Sequence, residues 1–378
     1  MQKRLHRITR REFSTAVSGA AATVAANGIA SVRAQDTDNH AANRGHHQHR
    51  EPATERTAAI ARYEQLRFGM FIHFTIKTFV EGPFWDVARG PLPSVQRYRP
   101  TKLDVEQWIR TAAVATMRYA VLTAKHYLGF ALWDSKHTDY DAAASPVKTD
   151  VVAEFVRACR THGLAPGLYY ALGADVAHRR ERRMSEPAYF EHARKQIVEL
   201  LTDYGPISVM WFDAMGKVPP TRWQAIYHTV KSLQPECLVV TNHGHGSNGT
   251  RLRFWPTDVI GAERTLPPPE GHDPWMMHGG KRYYIPMETC ETSAVGTFSK
   301  GWFWEPDELI KEVSRELLPL YRRTTERRAN LLLNVAIDRN GRVPAAAVQR
   351  LTELGRAIEE RRSGTQMIRE PADGQLKP

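Results

Sequence analysis

Ser208-Val-Met-Trp-Phe-Asp213 decides the fold. Its residues 209–212 are apolar without the in-out alternation of a half-exposed strand, which marks a strand buried on both faces of a helix-covered parallel sheet. The acid that ends it is tolerable only if it is paired or opens into a cleft. Seven further runs of this kind lie along the chain, at 68–74, 119–123, 167–172, 238–241, 258–261, 284–288 and 330–336. Amphipathic stretches separate them. Asp104 caps one, with Gln107 three residues on, and Val152, Phe155, Val156 and Cys159 form the apolar stripe of another, ended by Gly163. Further helices are expected at 187–203, 222–233, 306–327 and 345–361. Eight strand–helix units predict a (β/α)8-like, TIM-type barrel with its chemistry at the carboxyl ends of the strands. Residues 244–248 and 266–280, rich in Gly, Pro and His, predict a ring distorted around strands five to seven. About 40 residues follow Asn334, too few for an independent β-sandwich.

The bulk properties fit one α/β domain: 378 residues, 42% hydrophobic and 25% charged. Residues 1–34 carry Arg10-Arg11, an apolar run from Ala16 to Ala30 and Val32-Arg33-Ala34, in the order of a twin-arginine export signal. The apolar run contains Ser, Thr, Gly and Asn and falls short of a permanent membrane span. Removing these 34 residues takes away six Lys/Arg and one Glu, lowering the formal charge from +11 to +6. The expected organisation is therefore a signal at 1–34, a polar disordered linker at 35–57, a catalytic barrel at 58–362 and a tail at 363–378. The expected location is periplasmic or secreted, with the twin-arginine export machinery as a partner. The basic cluster His178–Arg183 lacks the interleaved aromatic residues of a nucleic-acid groove, so no nucleic-acid partner is expected. Cys159, Cys237 and Cys290 show no CxxC or metal spacing and read as buried small hydrophobes.

Polar residues gather where the strands end. These are His73, Lys125-His126-Tyr127, Trp211-Phe212-Asp213, Asn242-His243, Glu263 and Glu288. Carboxylates with imidazoles and tryptophans around a pocket are the equipment for breaking a glycosidic bond: one carboxylate attacks, another moves a proton, and flat rings bind a sugar face. The same residues leave other readings open. His73, His126 and Asp213 could hold a metal for a metal-dependent hydrolase. Lys125 serves equally as a salt-bridge anchor or a substrate contact, Glu263 as a surface ion pair with Arg264, and Trp85 as a loop aromatic behind Gly82-Pro83. The Gly-rich run 242–249 lacks the Gly-Lys-Ser/Thr ending of a phosphate loop.

Three ordered motifs add a resemblance: Arg67-Phe-Gly-Met-Phe-Ile-His73-Phe, Leu122-Thr-Ala-Lys125-His126-Tyr-Leu-Gly129-Phe130, and Met210-Trp211-Phe212-Asp213. With Met287-Glu288-Thr-Cys290 and Asn330-Leu-Leu-Leu-Asn334, they resemble glycoside hydrolase family 29, the α-L-fucosidases, over roughly Tyr63 to Arg362. The resemblance implies an exo-acting, retaining mechanism on fucosylated oligosaccharides or glycoconjugates, without metal or cofactor. It assigns Asp213 as nucleophile, His73 and His126 to sugar hydroxyls, and Trp85 to an aromatic contact. Ile260-Gly-Ala-Glu263 is similar to the Val-Gly-Asn-Glu segment of the α-1,3/1,4-fucosidase subgroup. Glu263 is thus the first choice for acid/base, with Glu288 in reserve; Lys125, Tyr127 and Trp211 complete the expected substrate-binding set. Two departures stand out. The family's Lys-His-His-Asp-Gly-Phe is here Lys125-His126-Tyr127-Leu128-Gly129-Phe130, and its Trp-Phe-Asp-Gly ends in Ala214. The altered turn keeps a third reading open, a catalytically idle sugar-binding protein, and leaves L-galactosides beside fucosides as substrates.

Overall fold

Eight parallel strands close into a barrel in the computed structural model, which describes residues 51–244, 252–264, 268–296 and 300–369. In chain order the strands are β1 (Phe68–His73), β2 (Tyr119–Lys125), β3 (Ala165–Ala171), β4 (Val209–Asp213), β5 (Leu238–Asn242), β6 (Val259–Glu263), β9 (Met287–Thr292) and β10 (Asn330–Ala336). Between β6 and β9 lies an antiparallel hairpin, β7 (Trp275–His278) and β8 (Lys281–Tyr284). Each barrel strand pairs with its neighbours in parallel, and β10 closes onto β1 through Phe68 opposite Leu331 to His73 opposite Ala336.

The barrel strands are buried because the barrel is packed inside and helices cover it outside. The helices are α1 (Ala58–Leu66), α2 (Phe84–Arg89), α3 (Val105–Val114), α4 (Val151–Thr161), α5 (Glu186–Thr202), α6 (Pro220–Leu233), α7 (Leu318–Glu326) and α8 (Ala345–Arg369). Asp104 caps α3 as expected, its Oδ1 accepting from Gln107 N at 2.9 Å. The side chain of Gln107 instead clamps the backbone of Val343, so the box is only half formed. Inside the barrel, Phe71, Tyr119, Tyr169, Trp211 and Leu332 form a layered core. Gly69 is required there: a Cβ would lie 2.4 Å from the Tyr119 ring.

The expected distortion is present, in a particular form. No helix joins β5 to β6 among the described residues, and the β7–β8 hairpin stands where the sixth crossover helix would be. The seventh strand needs correcting. The run 284–288 spans two elements, the end of the hairpin and the start of β9, with Pro286 between them unable to donate to a ladder. Glu288 is therefore the second residue of its strand, not the last. The helix expected at 306–327 is also shorter: a wide turn at Val313–Leu317 leads into α7, whose first turn accommodates Pro319. The expected linker ends early, since Tyr284 N donates to Ala53 O at 3.0 Å and Thr57 caps α1. The expected tail also gives up residues to α8, which runs on to Arg369. The signal at 1–34 lies outside the described residues. No helix among them is long and apolar enough to cross a membrane.

Candidate active site

A cleft of about 930 Å³ opens over the carboxyl ends of the strands. That is at the upper end of the range for pockets that enclose small ligands. Of the expected site residues, His73, Trp85, His126, Tyr127, Trp211, Asp213 and Glu263 line it. Lys125 and Glu288 do not.

Asp213 ends β4, where the ladder hands over to a turn. Its Oδ2 accepts from Tyr169 Oη at 2.8 Å; its Oδ1 accepts from Asn242 Nδ2 at 2.9 Å and from Ala214 N at 2.6 Å. Tyr127 also hydrogen-bonds it. Ala214 has φ 59° and ψ 30°, the left-handed region, which explains why a glycine is usual there; alanine costs about 1–2 kcal/mol. Gly173 is fixed from the other side, because a Cβ there would sit 1.9 Å from Ala214 O.

Glu263 ends β6, and its Oε2 accepts from the same Asn242 Nδ2 at 2.6 Å. Two oxygens bound to one nitrogen at 2.9 and 2.6 Å cannot lie further apart than the two distances end to end, 5.5 Å. Asn242 is thus a clip that sets the spacing of the carboxylates. Burial, together with the charge of Glu263, pushes the Asp213 carboxyl above its ordinary range despite the hydrogen bonds from Asn242, Tyr169 and Ala214 N. Burial pushes Glu263 upward too, but His243, 3.3 Å away, and Asn242 outweigh it and hold Glu263 below the usual value. His243 is raised by the same contact with Glu263.

The imidazoles on the other wall are neutral near pH 7. Burial pushes His73 down to about 4 although its Nδ1 contacts Asn334 Oδ1 at 2.8 Å. His126 is also lowered, by burial and by His73. Its Nδ1 is buried and has no hydrogen-bond partner among the described residues. His126 stacks on Tyr169 (5.3 Å between centroids, 9° between planes), and Tyr169 in turn stacks on Trp211. Trp85, on α2, is 46% exposed at the mouth, in edge contact with Tyr127. Phe84, Trp302 and Phe303 complete the aromatic wall.

Lys125 is fully buried behind the wall, with Nζ 2.6 Å from Asp175 Oδ2. It anchors the turn from below and does not touch the cleft. Asp175 is also within reach of His178 and His192, the group of potential metal ligands found among the described residues, but the cation on its carboxylate is Lys125. His73, His126 and Asp213 do not converge as such a group. Glu288 lies beneath Trp211, where Oε1 accepts from Trp211 Nε1 at 2.8 Å and Oε2 from Tyr119 Oη at 2.6 Å and Tyr63 Oη at 2.5 Å. It is placed for structure, away from any ligand.

Sequence reasoning missed Tyr169, Phe84 and the Trp302-Phe303 pair as site residues, and it placed Asn242 and His243 at a strand end without giving either a role. Register supplies the signal for the first: Tyr169 lies opposite Trp211, and Ala171 opposite Asp213, so Tyr169 must share the inward face with the nucleophile candidate. Trp302 and Phe303 leave only a composition signal, the aromatic run Trp302-Phe-Trp304 in a Gly-containing loop.

Comparison with known proteins agrees with this geometry. The sequence profile of the Alpha-L-fucosidase family matches residues 34–361. Alpha-L-fucosidase 1 of Arabidopsis thaliana is 29% identical over 305 residues, which are 75% of this chain and 56% of that protein. Alpha-L-fucosidase isoenzyme 1 from Paenibacillus thiaminolyticus superposes with a TM-score of 0.66 at 26% identity, covering 85% of this chain and 79% of the other. A glycoside hydrolase 29 family member from an unknown rumen bacterium does so at 0.64 and 27%, covering 82% and 58%. The chain spans a little over half the length of the curated plant relatives it matches. On the profile match and the shared barrel together, the chain belongs to the α-L-fucosidase family, glycoside hydrolase family 29.

Proposed function

We propose that the protein is an exo-acting, retaining glycosidase that removes terminal α-L-fucosyl residues. The observation that carries this is the Asn242 clip. It keeps one oxygen of Asp213 within 5.5 Å of one oxygen of Glu263, which supports a closely spaced retaining pair over a wider inverting one.

Asp213 attacks the anomeric carbon as the bond to the leaving oxygen breaks, and that oxygen takes a proton from Glu263. The glycosyl ester on Asp213 then yields to water, whose proton returns to Glu263 as the carboxylate of Asp213 leaves. Tyr169, Asn242 and Ala214 N hold the nucleophile's oxygens in place, so little reorganisation accompanies attack. The imidazoles of His126 and His73 accept from or donate to sugar hydroxyls, and the rings of Trp85, Phe84 and Trp302 face the apolar side of the deoxyhexose. Tyr127 replaces the family's usual histidine with a phenol that donates to Asp213 itself, which supports a working site over an idle one.

The decisive experiment is trapping with a 2-fluoro-α-L-fucosyl reagent followed by peptide mapping. The label is expected on Asp213; continued turnover with a label elsewhere, or with none, removes the assignment. Turnover of a 4-nitrophenyl α-L-fucoside is also expected to survive a strong chelator, and loss of activity would revive a metal held by His73, His126 and Asp213. We further propose export through the twin-arginine machinery to the periplasm or beyond, supported by the order of motifs in residues 1–34. Replacing Arg10-Arg11 with two lysines is expected to retain the protein in the cytoplasm.

A further inference from the structure

The cleft is larger than a single deoxyhexose requires, and its outer part is charged with one sign. Beyond the aromatic wall, its lining includes Arg89, Arg179, Arg180, Lys217 and Arg253. The acidic residues lining it are Asp213, Glu263 and Asp175, and the last is neutralised from behind by Lys125. Three of the five basic groups are occupied. Arg179 bonds Gly173 O and lies over the Tyr189 ring, Arg180 bonds Ala88 O, Gly90 O and Glu181, and Arg89 faces Asp86 at 3.8 Å. Lys217 and Arg253 are different in charge pairing: both are exposed and no carboxylate among the described residues pairs with either, Arg253 resting over the Phe254 ring at 5.2 Å.

Their positions flank the reacting pair. Lys217 ends the short turn Met215–Lys217 directly after Asp213. Arg253 lies on the segment leading into β6, which ends in Glu263, and its N–H fastens that segment to Gly244 O at 2.8 Å beside the end of β5. The leaving group extends past Glu263, the proton donor, toward the side where Arg253 lies close enough to His243 to act on it, with Lys217 lining the same cleft. A cleft lined by one sign of charge focuses its field on a ligand of the other.

We infer that the leaving-group side of the cleft binds an anionic sugar, one bearing a carboxylate or a sulfate ester, through Lys217 and Arg253. This rests on the fucosidase reading and narrows its substrate class to acidic fucosylated glycans.

The test uses one α-L-fucosyl disaccharide in three forms, with a neutral hexose as leaving sugar, its 6-O-sulfate and its uronate, alongside 4-nitrophenyl α-L-fucoside. The purified protein is expected to favour at least one anionic form over the neutral one by about tenfold in kcat/KM at low salt, and the preference is expected to shrink toward unity by about 0.5 M salt. Preference for only the sulfate or only the uronate identifies which anion is meant. In Lys217→Gln/Arg253→Gln the ratio is expected to fall close to one; if that double variant is misfolded by circular dichroism, each single variant is expected to lower the ratio. A wild-type ratio at or below one, with the aryl fucoside still cleaved, overturns the inference and leaves the fucosidase reading standing. No turnover of any of the four fucosides removes both.

Discussion

One barrel holds two clusters in which a carboxylate meets aromatic rings, and they differ in where along the strand the acid sits. Glu288, second in β9, is enclosed in the lower half of the barrel by Tyr63, Tyr119 and Trp211. Its donors are all neutral and all protein, and burial pushes its carboxyl upward because no cation compensates. Asp213 and Glu263 are the last residues of β4 and β6, where the barrel opens, and one amide clips them together in a cleft with room for a ligand. Trp211 belongs to both clusters, its indole N–H bonded down to Glu288 and its ring lining the cleft. An acid in the closed half thus aims a wall residue, whereas an acid at the open end meets the substrate.

The largest effect that tests this contrast is expected at the nucleophile. Asp213→Ala should lower kcat on an aryl fucoside by about three orders of magnitude or more with the fold intact by circular dichroism. A rate within tenfold of wild type would dissolve the distinction between the two clusters. Next in size is the acid/base. Glu263→Gly should lose about two to four orders of magnitude on a poor leaving group, and on an activated aryl fucoside, whose departure needs no acid, added azide should restore turnover as a fucosyl azide of retained configuration. The same azide should do nothing for Glu288→Gly, since that side chain is fully buried and does not line the cleft. Rescue of the Glu288 variant in place of the Glu263 variant would exchange their roles.

How far these clusters were visible beforehand follows the physics of each residue. Seven of the eight strands and Asp213 were legible because continuous burial excludes polar side chains until the strand ends, so a lone acid after Val-Met-Trp-Phe stands out. Glu263 also ends such a run, but Arg264 beside it left an ion pair equally open, and only the resemblance singled it out. Glu288 was misplaced because Pro286 divides two apolar runs that read as one, and a shift of a few residues moved it from the mouth to the floor. Lys125 read equally as anchor or substrate contact, and only its partner Asp175, fifty residues away in sequence, decides between them. The Asn242 clip and the Tyr169 stack depend on register between strands, which a single sequence does not display. Trp302 and Phe303 come from a loop without periodicity, so nothing local marked them as cleft residues.

A smaller effect is expected in stability. Glu288→Gln keeps the shape of the side chain but changes the acceptor that three buried donors require, and it should lower the unfolding free energy by about 2–4 kcal/mol in a urea titration. Per folded molecule, the remaining activity should stay within about tenfold of wild type, because Trp211 is displaced and the reacting carboxylates are not. An unchanged midpoint would mean that Glu288 does not hold the lower cluster together.

The smallest effect concerns the proton. His243 faces Glu263 at 3.3 Å, with Asn242, His73 and Asp213 as the other polar groups around that carboxylate. Because His243 is the foremost of the contacts that lower Glu263, His243→Ala should let burial prevail and the carboxyl rise. Glycosylation needs Glu263 protonated, and a higher value keeps it protonated to a higher pH. The alkaline limb of kcat/KM should therefore move upward, with only a few-fold change at the optimum. A limb that stays in place, or moves down, would show that His243 does not set the charge of the acid/base. The open cluster would then owe its asymmetry to the Asn242 clip and the Asp213 charge alone.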